Sequence, residues 1–402
     1  MGDPSRVRLT GPLTPFAEGF AAELARQGYT RNSAADQVRL LAHLSRWLAV
    51  HGLDAAALTP PVMDAFLVAR RSEGYVLWLS RKALAPLLAY LGEQRVVPPA
   101  TRSPLNEAET LVARYRRYLV SERGLAVGTA EGYVHYVRPF LAAKVGDDGI
   151  DLRGLTPADV TNFVLATCPG RARGSAKLTV TALRSLLRFL HVEGLIPRPL
   201  APAVPSVAGW RLAGLPRRLE AGEVERLLAS CDRRTRTGRR DFAILMLLAR
   251  LGLRSGEVSS LSLDDVDWCA GELVVRGKGN RAERLPLPAD IGQAVASYLR
   301  RGRPATADGR SVFVRVRAPH RRLSSVGVSQ VVAGAAQRAG LGRLHAHALR
   351  HTLATQMVRS GVPIPEVGQV LRHRRLLTTA IYAKVDREGL RLLARRWPGG
   401  AA

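Results

Sequence analysis

The chain has 402 residues, 47% of them apolar, and carries 60 basic against 33 acidic side chains for a formal charge of +27. That length allows two or three domains with sizeable cores, while the absence of any run of about 18 apolar residues argues against a membrane span. Cys168, Cys231 and Cys269 stand in no metal-ligand spacing, the N-terminus has no apolar leader, and the excess of cations calls for a polyanionic partner, DNA or RNA. Arginine far outnumbers lysine, of which there are five (Lys82, Lys144, Lys177, Lys278 and Lys384). Genomic bias explains a preference for Arg over Lys, but it does not create net charge.

Two helical segments come first, and they read as copies of one unit. Gly28 to Val38 (GYTRNSAADQV) is echoed by Gly124 to Val134 (GLAVGTAEGYV), Leu58-Thr59-Pro60 with Phe66 by Leu155-Thr156-Pro157 with Phe163, and residues 84–98 by residues 183–197. Two copies suggest a duplicated domain rather than a solenoid. Leu40, Leu41, Leu44, Trp47 and Leu48 lie on one helical face, as do Leu183, Leu186, Leu187 and Leu190. Arg184 and Arg188 sit one turn apart beside the second stripe, on a face that either meets phosphates or, more commonly for such a pair, is solvated helix surface. Each Leu-Thr-Pro predicts a helix start, with Thr as N-cap and Pro at the first position. Proline-rich stretches at 96–104 and 197–216 read as linkers. The predicted division is therefore 1–100, 105–205 and 212–402.

The third segment is mixed. A strongly apolar helix opens at DFAILMLLARLGLRSGEVSSL, and residues 271–288 (GELVVRGKGNRAERLPLP) read as two strands around a Gly-Lys-Gly-Asn turn. Ser311 to Val314 suggests another short strand, and the chain from Ser324 onward reads as helical. The fold class expected is mainly α with a small β-sheet: two tandem helical domains followed by an α+β domain. Asp264, Asp265 and Asp267 read as a solvated turn, not a metal site.

Four separated pieces of this segment hold Arg254, Lys278, His347 with Arg350, and His373 with Tyr382. Those residue types suit strand transfer on a phosphodiester. Two guanidinium forks match the non-bridging oxygens and stay charged, and fixed charge of this kind is often the largest catalytic contribution. A tyrosine nucleophile, titrating near pH 10 when free, must lose a proton, and a neutral imidazole such as His347 can take it. Lys278 can protonate the departing 5′ oxygen. There is no HExxH and no GxxxxGK[ST] loop, and no metal or other cofactor is expected.

In these pieces the chain resembles the tyrosine recombinases, also called the phage integrase family, over about 217–388 and more weakly over 106–205. The pieces are Gly252-Leu253-Arg254-Ser255-Gly256-Glu257 as the Arg-x-x-Glu box in a Leu-rich helix and Gly277-Lys278-Gly279 as the hairpin. They continue with His347-Ala348-Leu349-Arg350-His351 followed by Thr352-Leu353-Ala354-Thr355, then Leu371-Arg372-His373, then Thr378-Thr379-Ala380-Ile381-Tyr382. The resemblance implies a catalytic set of Arg254, Lys278, His347, Arg350, His373 and Tyr382. Arg254 and Arg350 would hold the scissile phosphate, His347 and His373 would hydrogen-bond it or relay protons, Lys278 would be the general acid, and Tyr382 would form a 3′-phosphotyrosyl link. Glu257 would brace Arg254, and His351 would support its box. It also implies SAM-like folds for the helical domains, double-stranded DNA with paired half-sites as substrate, and a tetramer on DNA. Accessory or partner recombinases, a bacterial cytoplasmic setting at the nucleoid, and a mobile-element role in integration, excision or transposition belong to the same expectation. Leu390, Leu392, Leu393 and Trp397 mark a C-terminal segment that either docks on a neighbouring subunit or packs on its own domain.

Three positions depart from the family pattern: Ala348 where Asp is common, Arg372 where Gly is usual, and a hairpin in which Asn280 follows Gly279 and the next cation is Arg281. Two other functions share parts of this chemistry, a type IB topoisomerase and an inactive DNA-binding descendant. Covalent capture on a nicked recognition site separates an active strand-transfer enzyme from a mere binder.

Overall fold

A computed structural model describes residues 3–97, 107–146, 149–208, 218–277, 282–307 and 309–373, together with Thr379 and Tyr382. Lys278, Asn280 and Arg281 of the hairpin tip and the segment 389–402 lie outside the described residues. The chain forms two compact units, one from the described parts of 1–100 and 214–402, the other from those of 101–213.

Helices α1 (Ala17–Arg26), α2 (Arg31–Val50), α3 (Pro60–Ser72) and α4 (Arg81–Glu93) make the first stretch. Leu40, Leu41, Leu44 and Leu48 of α2 are buried with Phe20, Phe66, Leu84 and Leu91, and Trp47 packs against the edge of that core. The second unit repeats the order with α5 (Glu107–Arg117), α6 (Val127–Ala142), α7 (Pro157–Thr167) and α8 (Arg173–Val192), plus a two-strand hairpin, β1 (Val145–Gly146) and β2 (Gly149–Ile150). Both Leu-Thr-Pro sequences begin helices. Thr156 forms a full capping box with Asp159, whereas Thr59 occupies the N-cap without a side-chain hydrogen bond.

Two expectations for this unit are corrected. The described part of the proline-rich stretch, 197–208, is no free linker: Leu200, Ala201 and Val204 are buried in the core with Ile196. Prolines break helices there, but the apolar residues between them still have a face to cover. Arg184 is not turned to solvent with Arg188. Its guanidinium donates to the Val204 carbonyl at 2.8 Å and to Ser206 Oγ at 3.0 Å, fastening that stretch to α8.

The third stretch carries a separate core around α10 (Arg236–Arg250), whose residues Ala243 to Ala249 are all buried. Around it stand α9 (Ala221–Ala229), α11 (Ser255–Ser260), α12 (Ala289–Arg301), α13 (Ser325–Arg338) and α14 (Ala346–Arg359), and α15 (Ile364–Val370) packs on α14. A three-stranded antiparallel sheet runs in the order β3 (Val266–Asp267), β4 (Glu272–Arg276), β5 (Ala282–Pro286), with Leu273 opposite Leu285. Ser311 to Val314 does not form the expected strand. It makes only the isolated bridges Ser262 to Ser311 and Val314 to Arg322, while Val312, Phe313 and Val314 are buried. The acidic turn is also less solvated than expected. Asp265 is 2% exposed, accepts from Ser262 N at 2.9 Å and takes Arg276 at 2.7 Å. Among the described residues no helix is long and apolar enough to cross a membrane.

Candidate active site

Arg254 is not inside the Leu-rich helix. α10 stops at Arg250, Gly252 turns the backbone at φ +58°, and Arg254 becomes the N-cap of α11. The turn needs glycine for two reasons: the left-handed φ, and a Cβ that would come within 2.9 Å of Leu371 Cδ2 and 3.0 Å of Leu353 Cδ2. Three residues on, Glu257 accepts from Arg254 N at 2.8 Å and pairs with the Arg254 guanidinium at 2.6 Å. Glu257 is 4% exposed, yet its carboxyl is held below the usual range. Burial pushes it up, and the hydrogen bond from Arg254 N with the charges of Arg372 and Arg254 outweighs that push. The Arg254 side chain keeps 39% exposure.

Arg350, on α14, has 1% exposure and plays a different part. It donates to the Gly252 carbonyl at 2.5 Å and to the Leu371 carbonyl, joining the turn that presents Arg254 to the turn that presents His373. Its Nε has no hydrogen-bond partner among the described residues. Burial, then the neighbouring Arg254 and Arg372, bring its pKa down to about 10, so it remains a cation at neutral pH.

His347 and His351 lie one turn apart on α14 with ring centroids 4.4 Å apart. The ring of Tyr382 sits in an apolar pocket of Ala354, Val358, Val367 and Leu371, with Tyr382 2% exposed. Its hydroxyl meets His351 Nδ1 at 2.6 Å. Burial pushes the phenol up to about 12, with Arg350 opposing. Burial first, then His347 and Arg350, bring His351 down to about 4. With the imidazole neutral, the phenol donates to Nδ1 in the tautomer protonated at Nε2. His373 is parallel to the Tyr382 ring at 6.4 Å, meets Thr379 Oγ1 at 2.8 Å, and is brought down to about 4 by burial, then by Arg350 and Arg254. His347 is shifted down as well, by burial and then by Arg350 and Arg254.

Five of the six catalytic candidates are thus brought together, with Glu257 and His351. Lys278 lies outside the described residues, although β4 and β5, which flank its turn, are in place. Three further residues join the site. Thr379 is fully buried beside His373, Arg372 reaches Glu257 at 3.0 Å, and Glu283 on β5 lies 3.8 Å from Arg372 Nε. Thr379 and Arg372 were visible in the motif strings, but only a fold supplies their partners. Glu283 had no sequence signal beyond its place in the hairpin.

The neutral imidazoles predict an acid-sensitive fold. An unfolded histidine binds its proton near pH 6.5, whereas folded His351 and His373 do so only near about 4. Between those values the unfolded chain holds more protons, so stability is fully present above about 6.5 and declines as pH falls toward 4. Melting temperature measured over that window should fall less steeply in His351→Gln than in the wild type. Identical slopes would show that His351 is not neutral in the folded protein.

Comparison with known proteins shows the family. Residues 217–388 match the phage integrase family, and residues 112–194 match the phage integrase N-terminal SAM-like domain. The chain is 41% identical over 396 residues to y4rA of Sinorhizobium fredii, provisionally named an integrase/recombinase, covering 97% of this chain and 96% of that one. It is 34% identical over 296 residues to the tyrosine recombinase XerD of Mycobacterium tuberculosis, covering 69% of this chain and 93% of XerD. Two solved structures share the fold. XerH site-specific recombinase bound to difH substrate has TM-score 0.55 and 19% identity, over 74% of this chain and 99% of that one. A lambda integrase dimer bound to a COC′ core site has TM-score 0.53 and 18% identity, over 72% and 96%. The site and fold define a tyrosine-type site-specific recombinase. The chain belongs to the phage integrase family.

Proposed function

We propose that this recombinase cleaves and rejoins double-stranded DNA through a 3′-phosphotyrosyl intermediate on Tyr382. The observation that carries the reading is the Tyr382 hydroxyl resting on a neutral imidazole, within the field of the buried Arg350 cation. Tyr382 Oη attacks the scissile phosphorus, its proton passing to His351 Nδ1 with His347 adjacent. The bond to the 5′ oxygen breaks, and that oxygen takes a proton from Lys278. Arg254, half open to the outside, and Arg350 stabilise the charge gathering on the non-bridging oxygens, while His373 hydrogen-bonds the phosphate. Rejoining reverses the steps, so the phosphodiester energy is kept in the phosphotyrosyl bond and no cofactor is required.

The same reading assigns 105–205 and 212–402 as the two arms of a clamp on each half-site, and 1–100 as an additional helical domain. Strand exchange between two duplexes needs four active sites, so a homotetramer on paired half-sites follows. The lambda integrase tetramer bound to a Holliday junction is a relative by fold with that assembly. Integration, excision or transposition of a mobile element is the biological role proposed, in a bacterial cytoplasm at the nucleoid, with accessory or partner recombinases. Covalent capture on a suicide substrate tests the chemistry: absence of an adduct with the intact chain ends the proposal.

With +27 charges, a large part of the affinity should come from phosphate contacts. Raising salt from 50 to 200 mM should weaken DNA binding by roughly a thousandfold or more, with a linear log–log slope. Affinity that is flat in salt would contradict this electrostatic mode.

A further inference from the structure

Arg372 stands where the family pattern usually has glycine, and its backbone is left-handed at φ +55°, a conformation glycine adopts freely and arginine does not. The side chain does not escape to solvent. It is 7% exposed, and its guanidinium reaches Glu257 Oε2 at 3.0 Å, while its Nε, which makes no hydrogen bond among the described residues, lies 3.8 Å from Glu283 Oε2 on β5. The Arg372 carbonyl in turn accepts from Arg254 at 3.4 Å. Glu257 therefore has two guanidinium partners, Arg254 on Oε1 and Arg372 on Oε2.

That sharing has a consequence for Arg254. A carboxylate 4% exposed cannot lose its cation without being left as an uncompensated buried charge. If Arg254 were its sole partner, every move of Arg254 toward a phosphate would incur that penalty. We infer that Arg372 is a positioning residue that carries the charge of Glu257, leaving the Arg254 fork free to turn from Glu257 to the scissile phosphate. Through Glu283 it also links the His373 turn to the strand that leads from the Lys278 hairpin. The inference rests on the DNA-cleavage reading above.

The test is single-turnover cleavage of a suicide substrate by the full chain, with DNA affinity measured in parallel. Arg372→Gln should cleave roughly tenfold or more slowly, with DNA affinity within about twofold of wild type. Arg372→Lys should recover most of the lost rate, because an ammonium also neutralises Glu257. The double variant Glu257→Gln with Arg372→Gln should be no slower than Glu257→Gln alone, since the charge to be carried is gone. Arg372→Gly, which suits the left-handed backbone, repeats the measurement should the glutamine variant fold poorly. Wild-type cleavage by the glycine and glutamine variants, no rescue by lysine, or multiplying losses in the double variant would each overturn the inference. Absence of an adduct in the wild type would instead refute the cleavage reading.

Discussion

Tyr382→Phe should abolish covalent capture of a nicked recognition site while leaving DNA binding intact. The phenyl ring fits the same pocket of Ala354, Val358, Val367 and Leu371, so packing is conserved. Only the hydroxyl and its 2.6 Å contact with His351 are lost, at a cost to stability of about 1 kcal/mol. The proposed nucleophile is gone, and losses on that scale run to roughly a thousandfold or more in rate. A denaturing gel of protein crosslinked to labelled DNA reads the outcome. Adduct formation by the phenylalanine variant would transfer the nucleophile to another residue. The buried hydroxyl, pushed up to about 12, further implies that binding DNA must change the surroundings of Tyr382 before it attacks, because the phenol sits 2% exposed.

Arg350→Ala is expected to damage stability and chemistry together, unlike Arg254→Ala. Arg350 satisfies the Gly252 and Leu371 carbonyls from a position 1% exposed. Removing it leaves both carbonyls without that donor and opens a cavity, costing about 3 kcal/mol or more. In a chain of 402 residues, at about 2.1 cal/mol/K of unfolding entropy per residue, that lowers the melting temperature by roughly 4 °C. Cleavage should fall by roughly a hundredfold or more among molecules still folded, through loss of phosphate charge stabilisation. Arg254→Ala removes a side chain 39% exposed, and Arg372 remains to neutralise Glu257. It should lose cleavage with a much smaller shift in melting temperature. Thermal unfolding of the two variants side by side checks this. An Arg350→Ala protein that melts like the wild type would show that the guanidinium is no brace.

The contrast between the two arginines marks how far the amino-acid order reaches. Both are read as prospective phosphate ligands from residue type and motif spacing, because a guanidinium carries its chemistry wherever it is placed. The helices were legible for a similar reason. The Leu stripes of α2 and α8 and the N-cap at Thr156 are local patterns, set within one or two turns. The proline-rich stretch at 197–208 was misread because proline speaks only for its own backbone. The burial of Leu200 and Val204 depends on which helix face lies opposite. The strand expected at Ser311 to Val314 failed likewise: its β-prone, apolar residues found burial without a continuous partner strand.

Sequence by itself determined the reaction class: a tyrosine, two arginines and three histidines in a fixed order, on a strongly basic chain with mainly helical periodicity. Tertiary structure alone decided how those groups are partnered. It placed His351, rather than His347, on the Tyr382 hydroxyl; it turned Arg350 into a brace between the Gly252 and Leu371 turns; and it gave Glu257 a second cation in Arg372. The physical reason is that hydrogen-bond partners here lie far apart along the chain, from His351 to Tyr382 and from Glu257 to Arg372. The proton affinities that follow are set mainly by burial. Neither partner nor burial is a local property, so neither can be read until the fold brings α14 and α15 around one tyrosine.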